Sequence, residues 1–96
     1  METTEAKNDV GGRGREVYRR LFASLTETPE NIGKIVAIEP DSGDYEIDAD
    51  VLQAARRLKS RHPDARLWSQ RIGYNVVYSL GGAIYRVNAA GEAIDK

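Results

Sequence analysis

The chain has 96 residues, 41% hydrophobic and 30% charged, with a net charge of −1 and no cysteine. That suffices for one small domain and excludes a disulfide framework, a thiolate metal site and a general DNA coat. No apolar run exceeds Ile35-Val36-Ala37-Ile38, far short of the roughly twenty residues that span a bilayer.

The amino terminus, Met1-Glu2-Thr3-Thr4-Glu5, has neither the basic start nor the apolar stretch of a secretory signal, so a cytoplasmic protein is expected. Residues 1–14 are polar, lack periodicity and close on Gly11-Gly12-Arg13-Gly14, which predicts a disordered tail. The period then changes. Val17, Tyr18, Leu21, Phe22 and Leu25 share one arc of an amphipathic helix, and Pro29 and Gly33 stop it.

Residues 34–39 form a β-branched run apolar on both sides, as an interior strand requires. Pro40-Asp41-Ser42-Gly43 carries turn chemistry. Residues 44–49 alternate strictly, with Tyr45, Ile47 and Ala49 opposite Asp44, Glu46 and Asp48, so a hairpin with a half-exposed second strand is expected. Asp50 then serves as the N-cap of a second helix, with Gln53 three residues on. Val51, Leu52, Ala54, Ala55 and Leu58 line its apolar arc, and Pro63 ends it. Residues 65–72 read as a strand, and Gly81-Gly82 as the turn of a final hairpin over residues 76–80 and 83–87. Residues 89–96 read as a frayed tail.

The order α-β-β-α-β-β-β predicts a single α+β domain over residues 15–88. Two helices cover one face of a small, mainly antiparallel sheet.

Charge divides unevenly: residues 1–50 carry a net −6 and residues 51–96 a net +5. Pairing of the halves within one fold is the plainest outcome, with pairing to a second copy or an acidic partner as the others.

Several segments together are similar to a family of small bacterial proteins common in cyanobacteria. They are Gly33-Lys34-Ile35-Val36-Ala37-Ile38, Ser42-Gly43-Asp44-Tyr45-Glu46-Ile47, Arg61-His62-Pro63-Asp64-Ala65, Leu67-Trp68 and Arg71-Ile72-Gly73-Tyr74. The likeness spans roughly residues 16–80. Relatives carry a His or Arg followed by an aromatic and Gly where Tyr78-Ser79-Leu80-Gly81 stands here. The family has no established biochemistry. The resemblance therefore implies a partner rather than a reaction: such genes lie beside those of retropepsin-like aspartic proteases, in layouts like toxin–antitoxin or protein–regulator pairs.

Five constellations merit chemical scrutiny. Asp41-Ser42-Gly43 matches the triplet of retropepsin-like homodimeric aspartic proteases, in which two carboxylates share a proton. However, Glu39-Pro40 before it and Asp44 after it suit a hairpin turn better. Asp44, Glu46, Asp48 and Asp50 lie along a strand and a cap instead of wrapping a central glycine as calcium ligands do. His62, the only histidine, sits at a helix terminus without an evident nucleophile. Gly11-Gly12-Arg13-Gly14 lacks the strand and the Gly-Lys-Ser/Thr of a phosphate loop.

The fifth is basic and aromatic: Arg56, Arg57, Lys59, Arg61, Arg66 and Arg71 near Trp68 and Tyr74, a candidate nucleic-acid (RNA) surface. No catalytic residue, metal site or cofactor is indicated. The favoured expectation is a non-catalytic protein-interaction module that binds a cognate partner or forms a homo-oligomer. Its contacts would come from Val17, Tyr18, Leu21 and Phe22 of the first helix and from Tyr78 and Tyr85 of the final hairpin.

Overall fold

A computed structural model describes residues 10–75, 84–90 and 92–94. The order is helix α1 (Val10–Glu27), a 3-10 turn (Pro29–Asn31), strands β1 (Ile35–Glu39) and β2 (Asp44–Asp48), helix α2 (Val51–Arg61) and strand β3 (Trp68–Arg71). The sheet runs β2-β1-β3 with both pairings antiparallel, which makes this an α+β domain. No described helix is long and apolar enough to cross a membrane.

β1 is central, and all five of its residues are buried. Its alternation sends Val36 and Ile38 to one face and Ala37 to the other. Val36 and Ile38 join Val17, Tyr18, Leu25 and Ile72 in one cluster, whereas Ala37 packs with Ala54, Leu58 and Leu67 in a second. The two helices therefore lie on opposite faces of the sheet, not on one as the pattern suggested. A strand apolar on both sides needs a cover on both sides, and each buried aliphatic side chain contributes about 1.5–3 kcal/mol.

The boundaries differ from expectation in three places. α1 runs from Val10, so residues 10–14 are helical and not part of a tail. Three glycines should weaken this stretch by about 1 kcal/mol each, but Gly14 is buried directly against the Trp68 indole. The third strand is confined to Trp68–Arg71 within the expected 65–72. Residues 76–83, and with them Tyr78 and the Gly81-Gly82 turn, lie outside the described residues.

The carboxy-terminal segment that follows is tied back. Isolated bridges join Tyr74 to Arg86 and Val87 to Ala93. Ile94 N–H donates to the Arg86 carbonyl at 3.0 Å, so the described part of residues 89–96 is not simply frayed.

Local chemistry accounts for the ends of α2. The Asp50 carboxylate accepts the Leu52 N–H at 3.0 Å, as an N-cap should. His62 N–H closes the other end on the Leu58 carbonyl. The hairpin turn is organised from below by Glu39, a buried carboxylate that accepts Asp41 N–H at 3.0 Å and Ser42 N–H at 2.8 Å. Gly43 completes the turn at φ +81°, where a side chain would be strained.

Candidate functional site

The acidic row of β2 faces α2 and not open water. Register puts Asp44, Glu46 and Asp48 on the α2 side of the sheet, opposite Glu39, Ala37 and Ile35. Arg57 donates to Glu46 at 3.0 Å, to Asp48 at 3.1 Å and to the Ile47 carbonyl at 3.0 Å. Arg61 reaches Asp44 at 2.9 Å and Glu46 at 2.8 Å, and His62 Nε2 lies 2.9 Å from the same Asp44 oxygen. The spacings match: i,i+4 on a helix advances about 6 Å, and i,i+2 on a strand about 6.6 Å.

This ladder sets the carboxyl groups' acidity. Hydrogen bonds from Arg61 and then His62 hold Asp44 down to about 2, below the ordinary 3.8. Arg57 and Arg61 lower Glu46, and Asp50 N–H and Arg57 lower Asp48. Burial pushes Glu39 up, but Ser42 and the Asp41 and Ser42 amides outweigh it, so Glu39 is lowered too.

All four folded-state values lie below the unfolded ones. Their contribution to stability is therefore full above about pH 5 and is lost as pH falls toward 2. A urea-unfolding midpoint followed from pH 7 to pH 2 is expected to fall steeply below pH 4. An Arg57→Gln, Arg61→Gln variant should show a shallower fall.

The ladder also disperses the basic–aromatic cluster. Arg57 and Arg61 are engaged with carboxylates, and Arg71 donates to the Gly33 carbonyl at 2.8 Å. Trp68 is half-buried under α1, its ring 5.8 Å from that of Tyr18. Arg56, Lys59 and Arg66 remain exposed. Asp41 stands exposed on its turn and pairs with Arg13 of α1. Among the described residues no group of three or more histidines or carboxylates is arranged to hold a metal ion.

The helical face expected to bind a partner is mostly interior. Val17 and Tyr18 are buried, and Leu21 and Phe22 pack partly buried against the same core. Enclosure raises the Tyr18 phenol above its ordinary acidity range, and a bond to the Gly73 amide partly offsets this. That bond, Gly73 N–H to Tyr18 Oη at 3.0 Å, fastens α1 to the turn after β3. Leu21→Asp is accordingly expected to lower stability by about 2 kcal/mol or more, by setting a charge against apolar neighbours. Chemical denaturation reads this directly.

What the fold leaves open is a cleft of about 350 Å³ between α1, β3 and the carboxy-terminal segment. Arg15 and Arg19 stand on its helical side, and Trp68, Tyr74 and Tyr85 supply aromatic surface. Its amides build its walls. Gln70 donates to the Arg71 and Tyr74 carbonyls at 3.1 and 2.6 Å, and Asn75 Oδ1 accepts Tyr85 N–H at 2.8 Å. Asn88 Oδ1 accepts the Ala90 and Glu92 amides at 3.0 and 2.9 Å, while its Nδ2 donates to Glu92. Arg86 stacks 5.7 Å from the centre of the Tyr74 ring.

Tyr85 is 46% exposed, and Ile84 and Ile94 of the same segment are 40% and 41% exposed. Of the expected partner contacts, Tyr85 is the described one that the fold leaves accessible. Sequence reasoning grouped Trp68 with Tyr74 but missed Arg15 and Arg19 as members of the same site, because only the packing of α1 and the carboxy-terminal segment around β3 assembles them.

No protein-family model matches the chain, and comparisons with curated proteins and with solved structures likewise return no significant match.

Proposed function

We propose that the protein is a non-catalytic interaction module whose binding face is the carboxy-terminal cleft and its rim. The observation that carries this reading is Tyr85, 46% exposed on the lining of a cleft that it shares with Trp68, Tyr74, Arg15 and Arg19. Exposed aromatic side chains beside arginines are the composition of binding hot spots. The apolar arc of the first helix drops out of the interface because it already holds the sheet, which leaves that helix to contribute Arg15 and Arg19. In the gene-pair setting that the sequence resemblance implies, the partner is the product of a neighbouring gene and this chain is its regulatory, antitoxin-like half.

The test is a tagged pull-down from native cells, split into nuclease-treated and untreated halves. The expected result is a stoichiometric protein that survives nuclease, is lost from Tyr85→Asp and is retained by Leu52→Asp on the far helix. Recovery of nucleic acid, with associated proteins lost after nuclease, would overturn the reading and favour the exposed arginines of α2.

A further inference from the structure

Three properties of the cleft specify what it takes. First, its charge has one sign: among the described residues Arg15 and Arg19 line it and no carboxylate does. Arg15 makes no ion pair or side-chain hydrogen bond among the described residues, and Arg19 has only a loose 3.7 Å contact with exposed Glu16. Second, it offers extended aromatic surface in Trp68, Tyr74 and Tyr85. Third, its amides are spent on its own walls: the Gln70 and Asn88 nitrogens, and the Asn75 and Asn88 oxygens, all have protein partners. Little polar edge is left to read a nucleobase, which a nucleotide site needs. A guanidinium pair and ring faces are left, and these suit carboxylates and an apolar side chain.

We infer that the cleft takes an acidic peptide segment of the partner, two carboxylates meeting Arg15 and Arg19 while the intervening apolar or aromatic side chain lies on the Tyr74–Tyr85 side. This rests on the protein-binding reading and adds the chemistry of what is bound. The geometry favours an acidic–apolar–acidic order. The two arginines are one helical turn apart, about 6 Å along the axis. In an extended peptide, side chains two residues apart project to the same side at about 6.6 Å, and the one between them projects oppositely.

Trp68 is the only tryptophan in the chain and lines the cleft, so its fluorescence reports occupancy without a label. The probe is acetyl-Glu-Phe-Glu-amide, titrated beside acetyl-Gln-Phe-Gln-amide and adenosine monophosphate. A saturable change in Trp68 emission is expected with the acidic peptide and about tenfold weaker binding with the neutral one. Arg15→Glu should weaken the acidic peptide by about tenfold or more, and Arg20→Glu, outside the cleft, should leave it unchanged. Circular dichroism confirms that each variant is folded.

Equal affinity for the two peptides, tighter binding of the nucleotide or indifference to Arg15→Glu would each overturn the inference. The two readings fail separately. A captured protein that depends on Tyr85 but not on Arg15 leaves the interaction module standing and overturns the acidic ligand. Saturable Arg15-dependent peptide binding without any captured protein upholds the site's chemistry and removes the cellular partner.

Discussion

Gly14→Ala is expected to destabilise the protein by about 2 kcal/mol, although alanine is the better helix former by about 1 kcal/mol. A Cβ at Gly14 would lie 2.4 Å from Trp68 Cγ, 2.5 Å from its Cβ and 2.7 Å from Cδ2. These atoms form the root of the indole, so no rotation of a flexible tip relieves the contact, and either α1 or β3 must move. Overpacking of this kind costs about 1–3 kcal/mol and occasionally more, which overrides the gain in propensity. Gly11, three residues earlier on the same helix, has nothing within 4 Å of its would-be Cβ. Gly11→Ala is therefore expected to gain about 0.5–1 kcal/mol. Urea midpoints of the two variants should move in opposite directions. Movement in the same direction would mean that α1 does not sit on Trp68.

The second large effect belongs to α2. Its buried apolar residues are Ala54 and Leu58, and both meet Ala37 on the far face of β1. Leu58 is fully buried and much the larger of the two. Leu58→Ala is expected to lose about 3 kcal/mol, within the range for leucine truncation in cores and a large part of the stability of a small domain. The ion-pair ladder does not make up the loss. Its bonds of 2.8–3.1 Å require α2 to be seated, and partly exposed ion pairs are individually weak. Leu52, on the same helix but 66% exposed, should change stability by less than about 0.5 kcal/mol as alanine. Equilibrium denaturation of the pair separates a helix held by one leucine from one held by charge.

Much of this architecture can be read from local sequence, because periodicity and caps are local. The hairpin over Pro40-Asp41-Ser42-Gly43, the strict alternation after it and the Asp50 cap all stand where residue chemistry puts them. The sidedness of the sheet was misread: Ile35-Val36-Ala37-Ile38 is apolar on both faces and calls for a helix on each, whereas the element order suggested two helices on one face. What escapes local reading is partnership across the fold. Asp44, Glu46 and Asp48 look solvated until α2 is docked on their face. A usable signal existed in the arginines at 57 and 61, whose spacing matches that of the acidic row. Gly14 reads as the end of a disordered tail because its value lies in its contact with Trp68, 54 positions away. The cleft was not legible at all, since Arg15, Trp68 and Tyr85 meet only after three separate segments have packed.

The central claim, that partner binding is confined to the carboxy-terminal cleft, is tested most directly by site-specific photocrosslinking in native cells. A photoreactive phenylalanine analogue replaces Tyr85 in one sample and Leu52 in another, both positions being exposed on different parts of the fold. The account predicts one discrete protein adduct from position 85, reduced by a second Arg15→Glu substitution and absent from position 52. Adducts of equal pattern from both positions, or crosslinks from position 52 alone, would contradict it.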